Sequence, residues 1–401
     1  MIYRSSYIEK IEPYIGKNII KVLTGVRRCG KSTILDMIEQ KFLAEGFSKD
    51  HIIHMNFEAS EFFEIDECNK LIEYVYAHID KAEKSKLIFD EIQEVEGWEK
   101  ALNSFMVEMD ADIYISGSNA HLLSSDLATY ITGRYVTIEV FPLSFAEFLP
   151  AYSDAFNSNS SRTAFRAYLT QGGFPFQSEL DFDTGSTINY LQDLFSTILF
   201  KDIVKRCNIR DVELLERLVK FQASEVGHLI TVKNIVDFFK SEHRKVSFDT
   251  VSNYLNAMSK AYLMYKVERQ DAIGKQILSV NDKWYLVDPG LRQSLTLNNQ
   301  QNIDQVLENI VYIELLRRGY DVKIGKVGNR EIDFIASISG EFVYIQVSYM
   351  LSDIHTRERE FQPLLEVKDN YPKIVLSLDE FDLSKDGIMH QNLIDWLLEN
   401  N

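Results

Sequence analysis

Gly25-Val26-Arg27-Arg28-Cys29-Gly30-Lys31-Ser32 decides how the rest of the chain is read. The stretch fits G-x-x-x-x-G-K-[ST] at every fixed position. Glycines let the backbone turn tightly enough to aim its N–H groups at phosphate oxygens. Gly25, Val26, Arg27, Arg28, Cys29 and Gly30 therefore form a phosphate-binding loop, and the following helix adds its positive end. Lys31 is placed for the β- and γ-phosphates, Ser32 for Mg²⁺, and Thr33 for an α-phosphate. Arg27 and Arg28 face either phosphate or the sheet edge, which the spacing does not separate. Cys29 is either an oxidation-sensitive brake on the loop or a buried, inert thiol. An apolar strand, Ile19–Leu23, leads into the loop, and Ile34, Leu35, Ile38 and Phe42 mark an amphipathic helix leading out.

Working outward, a phosphate site of this kind needs an acid at the end of a neighbouring strand. Leu87-Ile88-Phe89-Asp90-Glu91 supplies it. Asp90 is expected to hold Mg²⁺, and Glu91 to polarise the attacking water as general base. A third strand ends in Ser116-Gly117-Ser118-Asn119. There Ser118 or Asn119 is placed to lie between the acids and the γ-phosphate. Arg134 is the only basic residue between Lys100 and Arg162. An isolated cation in an acidic stretch suggests a γ-phosphate partner, in cis or across a subunit contact, or else a surface ion pair.

Short apolar runs at Ile19–Leu23, Ile52–Asn56, Leu87–Phe89, Ile113–Ser116 and Val136–Val140 alternate with helical patterns at Ser32–Glu45, Asn69–Ile79 and Trp98–Met109. This alternation implies a mostly parallel sheet with helices on its faces. The chain resembles a widespread prokaryotic family of AAA-type P-loop ATPases. The resemblance rests on Thr24–Thr33, Phe89-Asp90-Glu91-Ile92-Gln93, Ser116-Gly117-Ser118, Gly133-Arg134 and Pro142-Leu143-Ser144-Phe145-Ala146-Glu147-Phe148. It covers nearly the whole chain. It implies ATP binding with slow hydrolysis at these Walker A and Walker B residues, and a C-terminal domain of unknown function.

Ser153–Ser161, polar and turn-rich, reads as a linker. Beyond it the chain is mainly helical to about residue 270. Val212–Val226, Val232–Lys240 and Ser247–Ala261 have helical spacing, and Leu263–Glu268 reads as a strand. Three helices and a strand pair describe a winged helix, with Ser247–Tyr254 opening its recognition helix. Lys245, Thr250, Ser252 and Asn253 would then meet DNA. Residues 201–300, with 16 basic and 12 acidic side chains, are the one net-positive stretch of a chain whose net charge is −17. Few cations lie on that helix, however, and Asp249 would face phosphate, so the module equally reads as a spacer or a protein-binding surface.

The last part runs α-β-β-β-α-β, the order of restriction-endonuclease-like cores. Glu308 falls on its first helix and Asp333 on its second strand, while Gln346 and Ser348 stand where an E-x-K tripeptide would put Glu and Lys. A neutral amide ligates a hard cation with less charge, and Ser supplies no cation. Lys326 lies on a neighbouring strand without a spacing that places it in the site. The domain is therefore expected to bind rather than cut.

Three scattered cysteines exclude a disulfide framework, and no apolar run reaches the ~20 residues of a membrane span. The expectation is a cytoplasmic protein of class α/β. It has a P-loop NTPase parallel sheet (residues 1–152), a helical region with a winged-helix-like module (162–275) and a degenerate nuclease-like α/β domain (276–401). The expected function is an ATP-hydrolysing switch that engages a protein or DNA partner. An ATP-regulated DNA nuclease and an adaptor with negligible hydrolysis stand as alternatives, and an oligomer stays open.

Overall fold

The computed structural model describes residues 2–79, 84–118, 120, 131, 133–156, 160–274 and 276–399. The chain divides into two compact units: Met1–Phe141 with Lys260–Tyr262, and Pro142–Ser259 with Leu263–Asn401. Asn119 and Thr132 lie outside the described residues, as do residues 157–159 of the expected linker.

The first unit is built on five strands: β1 (Ile20–Thr24), β2 (Ile52–Asn56), β3 (Ser85–Asp90), β4 (Ala111–Gly117) and β5 (Tyr135–Glu139). They lie in the order β2-β3-β4-β1-β5, and every pair is parallel. Parallel strands must be joined by crossovers, and the helices Lys31–Ala44 (β1 to β2), Cys68–His78 (β2 to β3) and Trp98–Glu108 (β3 to β4) supply three of them. Central strands of such sheets are covered on both faces and read as continuous apolar runs. Accordingly β1 and β3 are buried at every position. Phe89, Ile115, Leu102 and Phe105 meet in one core cluster, and burying each contributes roughly 1.5–3 kcal/mol.

Charges buried at the opening ends of β1, β3 and β4 tie those strands together. Asp112 accepts from Lys21, from Lys86 at 2.7 Å, from the Tyr114 hydroxyl at 3.0 Å and from the Gly16 amide at 2.8 Å. Burial depresses the Lys21 pKa, and the Asp112 carboxylate opposes that shift.

In the second unit, helix Phe145–Phe156 runs through the first residues of the expected linker. The serine-rich composition is overridden by aromatic spacing. Phe148 stacks on Tyr152 at 5.4 Å, and Phe182 packs against both at 5.3 and 5.4 Å. The next helix, Ser161–Gln171, is capped by the Ser160 hydroxyl, which accepts from the Thr163 amide.

Helices Val212–Ser224, Val232–Ser241 and Phe248–Lys260 follow. The strands after them, β6 (Met264–Asp271) and β7 (Ile277–Leu286), form an antiparallel hairpin. That hairpin does not stand apart as a wing. Arg269, Gln270 and Asp271 of β6 pair in parallel with Ile324, Gly325 and Lys326 of β8 (Asp321–Val327). The hairpin thus becomes the edge of a seven-stranded sheet, and the boundary expected between 275 and 276 falls between its two strands. Helix Ile303–Arg317, β8, β9 (Arg330–Ile338), β10 (Glu341–Val347), helix Ile354–Glu366 and β11 (Lys373–Ser377) come in the expected α-β-β-β-α-β order, and β12 (Met389–Asn392) closes the sheet.

Removing the Asp112 carboxylate leaves two buried lysines without a counter-charge. Asp112→Asn is expected to cost the first unit about 3–5 kcal/mol, read as a lowered urea or thermal midpoint. A midpoint unchanged from wild type would show that the cluster is not needed to hold β1, β3 and β4 together.

Candidate nucleotide site

Because β1 to β5 are all parallel, their C-terminal ends share one edge, and the phosphate loop, Asp90 and Ser116 all fall on it. The loop leaves β1 at Thr24. Gly25 has φ 140°, and a Cβ there would sit 2.1 Å from the Val140 carbonyl oxygen. Only glycine fits while the Val140 amide donates to the Thr24 carbonyl at 2.7 Å. Gly30 has φ 102° and opens the helix Lys31–Ala44. Lys31 is buried, with Nζ 3.2 Å from the carbonyl oxygens of Gly25 and Val26 and 3.8 Å from Glu91 Oε1.

Asp90 closes β3 and is almost fully buried. The hydroxyls of Ser116 and Ser32 donate to its carboxylate, and the Asn56 amide approaches its Oδ2 at 3.2 Å. Burial pushes the Asp90 pKa above the ordinary carboxylate range, and the two hydroxyls pull it back. Glu91 adopts φ 55°, which turns the chain so that consecutive acids face the same loop. Its amide donates to Ser116 Oγ at 3.1 Å, and Gln93 donates to its carboxylate. Lys31, Ser32, Asp90 and Glu91, expected to act together, are thus brought together. A serine hydroxyl and a carboxylate held side by side are a donor set suited to a hard divalent cation.

The supporting residues are less visible in the sequence. Ser116, on β4 between the loop strand and the acid strand, binds both acids, whereas the expected bridging position was Ser118 or Asn119. Ser118 is buried just past the end of β4. A polar residue at the end of an apolar strand was the available signal for Ser116, and equally for Asn56 at the end of β2. Arg27 pairs with Glu58 at 3.0 Å, and the Glu58 amide donates to Asn56 Oδ1 at 2.9 Å. Arg28 is exposed at φ 65°. Cys29 is buried, its thiol pushed up by burial, and its carbonyl accepts from buried Arg4 at 2.9 Å. Nothing in the local sequence around Arg4 announces that contact.

Arg134 is not brought to the loop. It precedes β5, its carbonyl accepts from the amide of Ile20 at the start of β1, and its guanidinium donates to Asn103 at 3.2 Å. The loop leaves from the other end of β1, so the expected contact with the γ-phosphate of the same chain is corrected by parallel pairing alone.

The C-terminal candidates converge on a second cluster. Glu308 Oε2 accepts from Lys283 at 2.9 Å and from the Tyr285 hydroxyl at 3.0 Å. Lys283 also meets Glu331 at 2.7 Å and Asp333 at 4.0 Å. Asp333 Oδ2 accepts from the Val347 amide at 2.8 Å. Gln346 accepts from the Asp333 amide at 3.2 Å and donates to Glu360 at 2.8 Å. Ser348 is buried just past β10; its amide donates to the Leu376 carbonyl at 3.0 Å, and its hydroxyl lies 3.5 Å from the Met350 carbonyl. Burial works to lower the Lys283 pKa, and the carboxylates of Glu308, Asp333 and Glu331 outweigh it and raise the value. Burial raises Glu308 and Asp333 in turn. The cation in this cluster comes from β7, not from Lys326 on β8. A charged residue inside the apolar run Lys283-Trp284-Tyr285-Leu286 was its only trace in the sequence.

A family model described as an AAA domain matches residues 17–149, and a domain of unknown function (DUF8612) matches residues 162–302. An uncharacterized protein of Haemophilus influenzae is 37% identical over 401 residues, which is 100% of this chain and 99% of that protein. The chain belongs to the same family as that protein. An uncharacterized protein of Methanocaldococcus jannaschii is 32% identical over 368 residues, 88% of this chain and 79% of its own. Among solved structures, a Walker-type ATPase of Pyrococcus abyssi superposes with a TM-score of 0.52 at 16% identity, covering 74% of this chain and 96% of that one. Residues 17–149 therefore carry an AAA domain, and the fold is like that of a Walker-type ATPase.

Partners that orient an acid at such a site are typically worth about 10–100-fold in activity. Ser116→Ala is expected to lower ATP turnover by a factor in that range, while Arg134→Ala leaves it within about twofold. Phosphate release from the purified variants distinguishes the two. A large loss in Arg134→Ala would place that guanidinium in the site of a neighbouring subunit.

Proposed function

We propose that the chain is a slow ATPase that works as a nucleotide-dependent switch for a partner protein. One observation carries the reading: Lys31, Ser32, Asp90 and Glu91 meet at one edge of a parallel sheet, with Ser116 joining the two acids. In this reading the loop amides from Gly25 to Gly30 and the side chain of Thr33 bind the triphosphate. Lys31 moves from its carbonyl partners to the β- and γ-phosphates. Ser32 and Asp90 hold Mg²⁺, which when bound neutralises charge on the β- and γ-oxygens. Glu91, kept in place by its backbone bond to Ser116 and by Gln93, takes the proton of the attacking water. Ser118 lies where a change at the γ-phosphate is passed to β4.

The partner is read from the second unit. The basic surplus of residues 201–300 within it is partly spent on internal pairs. Arg217 meets Glu213 at 3.1 Å and Glu242 at 3.4 Å, and Arg244 meets Glu213 at 3.2 Å. Every phosphate contact on DNA needs a cation to displace counterions, so a protein partner suits this surface better. The second reading, DNA binding through residues 211–270, is favoured by one local feature. Ser247 Oγ caps the helix Phe248–Lys260 by accepting from Thr250 N at 3.1 Å, next to Lys245. Among the described residues no helix is long and apolar enough to cross a membrane.

Phosphate release from ATP by wild type and by Lys31→Ala, with and without duplex DNA, tests both statements. Lys31→Ala is expected to fall to about a hundredth of wild type or lower, with wild-type turnover indifferent to DNA. Unchanged hydrolysis in Lys31→Ala would overturn the ATPase reading. Turnover that needs Lys31 and rises with DNA would replace the protein partner with DNA.

A further inference from the structure

The cluster around Lys283 belongs to neither reading of the nucleotide site. It is built from three elements: β7 brings Lys283 and Tyr285, helix Ile303–Arg317 brings Glu308, and β9 brings Glu331 and Asp333. A restriction-endonuclease-like site would use the positions of Glu308 and Asp333 to hold a divalent ion, with oxygens about 2.0–2.1 Å from Mg²⁺. The side chains present do not fit that ion. The Lys283 ammonium is 2.9 Å from Glu308 Oε2, 2.7 Å from Glu331 Oε1 and 4.0 Å from Asp333 Oδ1. A dication among the same oxygens would have to displace it, because two cations cannot share that space without strong repulsion.

The remaining ligand candidate is also committed. Both ends of the Gln346 amide are used, its oxygen by the Asp333 backbone and its nitrogen by Glu360. Glu360 is itself neutralised by Arg359, whose Nε and Nη2 approach its Oε1 at 2.9 and 2.7 Å. Each buried carboxylate is thus answered from within the chain, as buried charges must be. Lys283 is 97% buried by side chain, so it has no exposed alternative to these partners.

We propose that the Lys283 ammonium is the permanent cation of this buried cluster, standing where a nuclease-like domain would need a divalent metal, so that the domain holds no metal and does not cut phosphodiesters. The lysine holds helix Ile303–Arg317 against β7 and β9, and removing it turns the three carboxylates into a divalent-cation site. This is independent of the ATPase reading, because no residue of the phosphate loop takes part.

Mn²⁺ binding to the full-length chain, without nucleotide, tests it by electron paramagnetic resonance. Wild type and Asp333→Asn should bind the same number of Mn²⁺ ions. Lys283→Met should gain one site, which the double variant Lys283→Met/Asp333→Asn loses. Wild type should leave plasmid and single-stranded DNA uncut with either Mg²⁺ or Mn²⁺. An ion bound by wild type and lost in Asp333→Asn, or in Glu308→Gln should Asp333→Asn not fold, would overturn the proposal. So would DNA cleavage that Asp333→Asn abolishes, or a folded Lys283→Met that gains no ion. Should Lys283→Met not fold, the wild-type comparison and the cleavage assay decide alone.

Discussion

Parallel pairing of β1 with β4, and of β4 with β3, is the constraint on which the nucleotide site depends. It puts the end of the loop strand and the end of the acid strand on one edge and sets one strand between them. A residue near the end of β4 then lies between the loop strand and the acid strand. Ser116 holds that place, with one hydroxyl serving the Asp90 carboxylate and the Glu91 amide together. The opposite ends of the same three strands are fixed by Asp112 between Lys21 and Lys86. A sheet pinned by charge at one end and carrying its chemistry at the other can transmit little sliding between strands.

Much of this was legible in the residues. The loop, the two acids and the alternation of strand and helix follow local rules. A glycine that must take φ 140° against the Val140 carbonyl has to be glycine, and its spacing to Gly30 and Lys31 is fixed by one turn of chain. The order α-β-β-β-α-β was legible for the same reason, since each element carries its own apolar period. Contacts made across the fold were not. Arg4 reaches the Cys29 carbonyl from 25 positions away, and Lys283 reaches Glu308 from the same separation. For Arg134 the sequence does not tell which end of its strand an isolated arginine occupies; its carbonyl accepts from the amide of Ile20 at the start of β1. Ser153 was misread because composition gave way to aromatic packing around Phe148, Tyr152 and Phe182.

The second unit shows how one hairpin can serve two neighbours. β6 and β7 follow directly on the helices that resemble a winged module, yet β6 carries on into the sheet through β8. Helix Ile303–Arg317 is docked on the same hairpin by polar contacts. Asn309 both accepts from and donates to the Leu286 backbone, at 2.8 and 2.7 Å, while Glu308 takes Lys283 and Tyr285. The hairpin thus joins the middle helices to the sheet by covalent continuity and to the helix Ile303–Arg317 by hydrogen bonds.

That cluster is an expensive way to hold a helix on a sheet. Desolvating two charges costs several kcal/mol per ion, and well-packed apolar side chains of the same volume often do as well or better. Stability alone therefore does not account for three carboxylates around one ammonium. Ion pairs of this kind fix geometry instead, because a charge buried off register finds no partner. Glu308 can accept Lys283 and Tyr285 only when the helix sits at one height along β7. Asp333 can accept the Val347 amide only when β9 and β10 keep their register. The acids that resemble a metal site thus have a role that needs no metal. They tie helix Ile303–Arg317 to β7 and β9 through one shared ammonium.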